Sequence, residues 1–104
     1  PVRSQTPDDE LPFLDENEVR KRKQSTSEGK LWIVIDNIVY DCSIFANLHP
    51  SGADVIESLR GEDCSWQFWR FHDNTIMRKW GRPLRVGRTK GVQNRFREVP
   101  RFVG

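Results

Sequence analysis

Leu31-Trp32-Ile33-Val34-Ile35-Asp36-Asn37-Ile38-Val39-Tyr40 is the stretch on which the fold turns. Two runs of β-branched and aromatic residues, the kind that fit a pleated surface, flank the turn-forming pair Asp36-Asn37, so the segment reads as a β-hairpin. Upstream, Asp15-x-x-Glu18 is a capping-box start, and the cations from Arg20 to Lys23 fall in a last helical turn, where the helix dipole favours them. Residues 25–29 break that helix. Downstream, Ser43 to Asn47 reads as one short helical turn, and His49-Pro50 stops the chain from continuing as a helix. Ser51 is a candidate cap, with Asp54 three residues on, for a helix running to about Leu59 and burying Val55, Ile56 and Leu59. Arg60-Gly61 ends it. Further helices are expected from Cys64 to Phe71 and from Asn74 to Trp80, the latter ended by Gly81 and Pro83, with Leu84-Arg85-Val86 as a closing strand. Helix, hairpin, a run of short helices and a last strand make an α+β domain.

The 104 residues suffice for one domain. Apolar residues concentrate over residues 31–86, so the compact part is shorter than the chain. So small a core is marginal, and a large bound apolar group would stabilise it by mass action. Residues 1–12, rich in Pro and acids, are expected to be a flexible tail. Residues 89–104 are expected to be a basic tail or linker. Cys42 and Cys64 form no C-x-x-C pair and read as reduced and buried. No apolar run approaches the ~18 residues of a membrane span. No secretory signal is present either, and the abrupt start at Pro1 suggests a piece of a longer protein. From Asp36 to Asp73 seven acids face two bases, whereas from Arg78 to Gly104 nine bases face Glu98 alone. The basic end carries no nucleic-acid-binding motif, so a solvated linker is the expectation and no nucleic-acid partner is expected.

The two histidines, His49 and His72, each follow a short helical segment and sit among bulky apolar residues. Three chemistries are open to them. Nucleophilic catalysis would need Cys42 or Cys64 beside a histidine base, and no pattern places one there. Zinc held by Cys42, His49, Cys64 and His72 has suitable donor types but no finger or ribbon spacing. Haem iron with two imidazole ligands needs a slot walled by aromatic and aliphatic side chains, with one nitrogen from each wall.

Residues 32–45 resemble the strand–turn–strand segment of cytochrome b5. His49-Pro50-Ser51-Gly52 resembles that family's His-Pro-Gly-Gly, and Gly61-Glu62-Asp63-Cys64-Ser65-x-x-Phe68 resembles its Gly-x-Asp-(Ala/Cys)-(Thr/Ser)-x-x-Phe. His72 then falls at the second ligand position, with the Phe68-to-His72 spacing of the domains fused to nitrate reductases and flavocytochromes. The resemblance implies a haem-binding domain over residues 13–88, with a small mixed sheet and two helical pairs forming a crevice. It implies His49 and His72 as iron ligands of a non-covalent haem b, and Cys42, Phe45, Pro50, Ile56, Phe68 and Phe71 as pocket residues. It puts Trp32 and Tyr40 in a second core away from the haem, and the Gly52 and Phe68 carbonyls against the histidine rings. Ser51 and Asp73 depart from the family pattern. Ser51 would be strained if its position needs a positive φ, and Asp73 would repel a haem propionate unless it points away.

What the resemblance implies is a one-electron carrier that is not itself an enzyme, in the cytoplasm or on the cytosolic face of a membrane-anchored parent. Its partners would be a flavin reductase as donor and an acceptor, or a fused oxidoreductase domain. The acidic middle segment would steer a basic partner, and the tryptophans around Phe68 would either pack the core or dock a partner. The competing class is a b5-like fold used as a non-redox sterol, lipid or protein interaction module.

Overall fold

The computed structural model describes residues 5–23, 30–48 and 50–94. Strands β1 (Trp32–Ile35) and β2 (Ile38–Asp41) form the hairpin, with Ile33 opposite Tyr40 and Val34 opposite Val39. Asp36 and Asn37 have φ of 51° and 64°. Two successive left-handed residues make the turn whose twist matches paired strands, and Asp and Asn tolerate that region better than most residues. Strand β3 (Arg85–Arg88) lies antiparallel to β2, so the sheet order is β1-β2-β3. Val39 faces Gly87 while Tyr40 faces Arg85, which leaves Val86 as the extra residue of a bulge. Among the described residues, parallel pairing in the expected mixed sheet is limited to the single bridges Val34–Asp63 and Phe13–Arg88.

Alternation along the hairpin builds two cores. Ile33, Ile35, Ile38 and Tyr40 join Leu11, Cys42, Ala46, Leu59 and Cys64 on one face. Trp32, Val34 and Val39 join Val19 and Val92 on the other. With both faces covered, the strands are an unbroken apolar run rather than an alternating one. Helix α1 (Glu16–Arg20) brings Val19 to the second core, and the Asp15 carboxylate caps it by accepting the Asn17 N–H at 3.0 Å.

Residues 61–64 run along the outer edge of β1. The Gly61 N–H donates to the Trp32 carbonyl, Val34 to Glu62, and Cys64 to Val34, at 2.6, 3.0 and 2.7 Å. Gly61 has φ 71°, and a Cβ there would lie 2.6 Å from Lys23 Cγ, so this corner requires glycine. It delivers the chain to α4 (Ser65–Phe71) beside the hairpin. On the same side lie α2 (Ser43–Leu48) and α3 (Pro50–Ser58). Helix α5 (Asn74–Ile76) widens into a π-helical turn at Met77–Gly81, followed by a 3₁₀ turn at Arg82–Leu84. Leu84 therefore belongs to that turn, and the closing strand starts one residue later than expected. Among the described residues no helix is long and apolar enough to cross a membrane.

Several local expectations are corrected. Helix α3 opens at Pro50, whose fixed φ suits a first helical turn, so Ser51 lies inside the helix and is not its cap. Among the described residues the non-glycine positive φ values belong to Asp36 and Asn37, and Ser51 needs none. Val55 is 63% exposed rather than buried. Within the stretch expected to be a flexible tail, Leu11 is buried, Asp8 pairs with Arg85 at 2.7 Å, and Pro12 accepts the Arg88 N–H at 2.8 Å. In the expected C-terminal linker, Thr89 and Val92 are buried and the Gln93 carbonyl accepts the Asp63 N–H at 3.2 Å. The helix break at residues 25–29 and the chain beyond Asn94 lie outside the described residues.

Candidate functional site

A cavity of about 450 Å³ opens between the hairpin and the two helical pairs. Ile33, Ile35 and Tyr40 contribute from the strands, Cys42 and Phe45 from the approach to α2 and from α2 itself, and Val55 and Ile56 from α3. Phe68 and His72 contribute from the α4 side, then Ile76, Met77, Trp80, Gly81 and Leu84 from the segment leading to β3. Phe45 and Trp80 meet edge-on at 6.1 Å between ring centroids, which closes α2 onto the π-helical turn.

His72 occupies a corner between two fixed frames. Its main-chain N–H donates to the Phe68 carbonyl at 2.9 Å, and its φ of −134° and ψ of 160° take it out of α4. The next residue, Asp73, starts α5 by accepting the Thr75 and Ile76 N–H groups through Oδ1 at 3.0 and 3.4 Å. The imidazole lies 4.9 Å from the Phe68 ring, tilted by 39°, and Trp69 packs edge-on to the same Phe68 ring, with centroids 4.9 Å apart at 87°. The Phe68 carbonyl, expected to hold the histidine ring, takes up the main-chain N–H of His72. The Asp73 carboxylate, expected to turn away or be screened by arginine, is engaged as a helix cap.

Burial pushes the thiols of Cys42 and Cys64 up to about 12, with Asp41 and Cys42 respectively adding to the effect. Both are free and protonated at neutral pH, so neither is a ready nucleophile or thiolate ligand. Burial, and next the Asp8 charge, also raise the Tyr40 hydroxyl. Among the described residues no three of His, Cys, Asp and Glu gather as a metal cluster. Six of the seven middle-segment acids are engaged within the fold. Asp36 accepts from Trp69, Asp41 from Ser43, Asp63 from Ser65, and Asp73 from the start of α5. Glu57 pairs with Arg60 at 2.8 Å, and the buried Glu62 with Lys23 at 3.2 Å.

Of the residues expected at the site, Cys42, Phe45, Ile56, Phe68 and His72 share the cavity. Pro50 opens α3 and Phe71 closes α4. His49 lies outside the described residues. Tyr40 is a correction: it lines the cavity, because directly opposed residues share a face and its partner is Ile33, whereas Trp32 is opposite Asp41 and belongs to the second core. The period-two alternation already visible in Ile33, Ile35, Ile38 and Tyr40 was the signal that groups them. Met77, Trp80 and Gly81 come to the cavity through a π-helical turn that no regular helical period indicates.

The family model described as "Cytochrome b5-like Heme/Steroid binding domain" matches residues 15–90. A Neurospora crassa protein described as a cytochrome b5 is 35% identical over 60 residues, which are 58% of this chain and 72% of that protein. Nitrate reductase [NADH] 1 of Oryza sativa subsp. japonica is 41% identical over 58 residues, 56% of this chain and 6% of the enzyme. Fatty acid desaturase 3 of Bos taurus is 37% identical over 78 residues, 74% of this chain and 17% of the enzyme. The solved cytochrome b5 of Ostreococcus tauri virus 2 superposes with a TM-score of 0.63 at 26% identity, over 75% of this chain and 96% of that one.

Proposed function

Because this chain belongs to the cytochrome b5-like haem/steroid-binding family, we propose that it binds one haem b without covalent attachment, with His49 and His72 as axial ligands, and carries single electrons. The observation that carries this reading is the His72 imidazole on the wall of an apolar cavity, stacked on Phe68, in the segment that matches the family. At about 450 Å³, the cavity falls within the roughly 300–1,000 Å³ of small-molecule and cofactor sites. The donor chemistry fits too: the nearby thiols are held protonated, which leaves the His72 imidazole and the Met77 thioether as neutral donors on the cavity wall. His49 enters from its place in His49-Pro50-Ser51-Gly52.

When bound, haem supplies a one-electron couple. The protein's part is to exclude water with Ile33, Ile35, Phe45, Ile56 and Phe68, and to fix the orientation of His72. Two imidazoles would leave no axial position for oxygen or substrate, which favours electron transfer over oxygenase chemistry and makes the domain itself no enzyme. The relatives in nitrate reductase and a desaturase support a redox partner, either a flavin reductase with a separate acceptor or a fused oxidoreductase domain. The cytoplasm, or the cytosolic face of an anchored parent, is the matching location.

Haemin titration tests this. One equivalent should give a low-spin spectrum, and His49→Ala or His72→Ala should open a coordination position and weaken retention by more than about tenfold, since even outer-shell losses at metal sites cost about 10–100-fold. A chain that titrates with no spectral change would overturn the reading and favour a non-redox sterol or lipid module. A variant keeping the parent low-spin spectrum would remove that histidine from the ligand set.

A further inference from the structure

We infer that Asp36, Ser65 and Trp69 form a latch that positions His72, so that the hairpin turn sets the geometry of the ligand; this rests on the haem reading above. Asp36 is the meeting point. Its main-chain N–H donates to Ser65 Oγ at 2.8 Å, and its carboxylate Oδ2 accepts from Trp69 Nε1 at 2.8 Å. Ser65 and Trp69 are four residues apart, hence stacked one turn apart on one face of α4. Two bonds from one residue to two successive turns fix the helix against both translation along the hairpin and rotation about its own axis. A single bond would leave the rotation free.

The turn end of the latch is itself held. Asp36 and Asn37 have a left-handed backbone, and the Asn37 carbonyl accepts the Thr89 N–H at 2.8 Å, where Thr89 is buried. From Trp69 the constraint passes through ring contacts, 4.9 Å to Phe68 and from Phe68 another 4.9 Å to His72. Trp69 is 37% exposed, which on exposure alone would mark it as a docking residue. Its N–H is instead committed to the Asp36 carboxylate of the hairpin turn, which makes it a positioning residue.

The experiment uses the haem-loaded full chain and reads haem release to a scavenging protein, the low-spin electron paramagnetic resonance g values and the midpoint potential. Trp69→Phe keeps a ring against Phe68 and removes only the N–H. Ser65→Ala removes the other bond. Each should speed haem release by about 2–10-fold, the range a single net hydrogen bond commands, and shift the g values, which report ligand-plane orientation. Asp36→Asn keeps a carbonyl acceptor and tolerates positive φ, so it should stay within about twofold of the parent. If Trp69→Phe and Ser65→Ala lower the melting temperature but leave release, g values and potential at parental values, the bonds are structural only and the inference fails. A parent chain that binds no haem would instead overturn the function proposed above.

Discussion

Cys42 and Cys64 carry their protons in the folded chain far more tightly than in the unfolded one. Burial holds both near 12, against an ordinary value of 9.0. For an acid whose native value is raised, the unfolded state loses its proton first. The stabilisation is therefore complete below about pH 9 and lost as pH rises towards 12. We expect the urea midpoint to fall over that window and to fall less steeply in a Cys42→Ala/Cys64→Ala chain. Tyr40, also raised by burial, leaves the double variant a residual slope of the same sign. Equal slopes in the two proteins would show that the thiols do not contribute. That both cysteines are buried followed from the sequence, since an isolated thiol outside any metal or redox spacing behaves as a small apolar group. The side of Tyr40 did not follow from resemblance, although it followed from register. Strand pairing is a stricter guide to which face a residue occupies than likeness to a motif.

At the scale of elements, the function depends on how short helices are started and stopped. Helix α5 holds only Asn74–Ile76 before it widens, so its cap carries an unusual share of its stability. Asp73→Ala should cost about 1 kcal/mol, as loss of a capping side chain does, and Asp73→Asn should be nearly neutral. Amide exchange at Thr75 and Ile76 would report it locally, and a denaturation midpoint globally. An Ala variant with parental exchange at both amides would mean that the cap is dispensable. Because Ile76 and Met77 line the cavity, fraying there also loosens the wall that follows His72. The sequence displays this cap in Asp73-Asn74-Thr75 ahead of Ile76 and Met77. Beside the second histidine the same carboxylate reads first as a charge, although its spacing to Thr75 and Ile76 is that of a cap. The hairpin, α1, α2 and α4 were legible because each has a local cause, whether turn chemistry, a cap or a β-branched run. The π-helical turn was not, because it answers to tertiary packing: it sets Gly81 against the Tyr40 ring of β2, 3.4 Å from where a Cβ would stand.

For the whole molecule, the boundaries of the resemblance and those of the physical domain differ, and the difference is measurable. The family match begins at residue 15, yet Leu11, 2% exposed, belongs to the core on the cavity side. Three arginines of the last segment hold the stretch before it: Arg82 donates to the Thr6 carbonyl at 3.1 Å, Arg85 to Asp8 at 2.7 Å, and Arg88 to the Leu11 carbonyl at 2.9 Å. A tail rich in Pro and acid looks disordered by composition; its partners lie 76 or 77 residues away, where no local pattern reveals them. Removing residues 1–14 exposes the site that Leu11 fills, a loss of about 1.5–3 kcal/mol. It also strands the buried Arg85 without its carboxylate, a kind of loss that reaches about 3–5 kcal/mol for fully buried pairs. Asp8 is 58% exposed and the deleted segment regains chain entropy, so the net cost should be nearer about 2–4 kcal/mol. For a domain of this size that is a fall of at least about 8 °C in melting temperature. Removing the chain from Thr89 onward should also cost stability, since Thr89 and Val92 are buried and the Thr89 N–H donates to the Asn37 carbonyl at 2.8 Å. The decisive control is Arg85→Met in the chain lacking residues 1–14. If the stranded guanidinium is a main source of the loss, replacing it with an apolar side chain of similar length restores part of the stability, whereas in the full chain the same substitution costs the bond to Asp8. Thermal melts of the four proteins give the answer: a truncated chain that melts with the parent would place the N-terminal segment outside the fold, and one that Arg85→Met weakens further would show that the guanidinium, which also donates to the Arg82 carbonyl at 3.1 Å, is not the source of the loss.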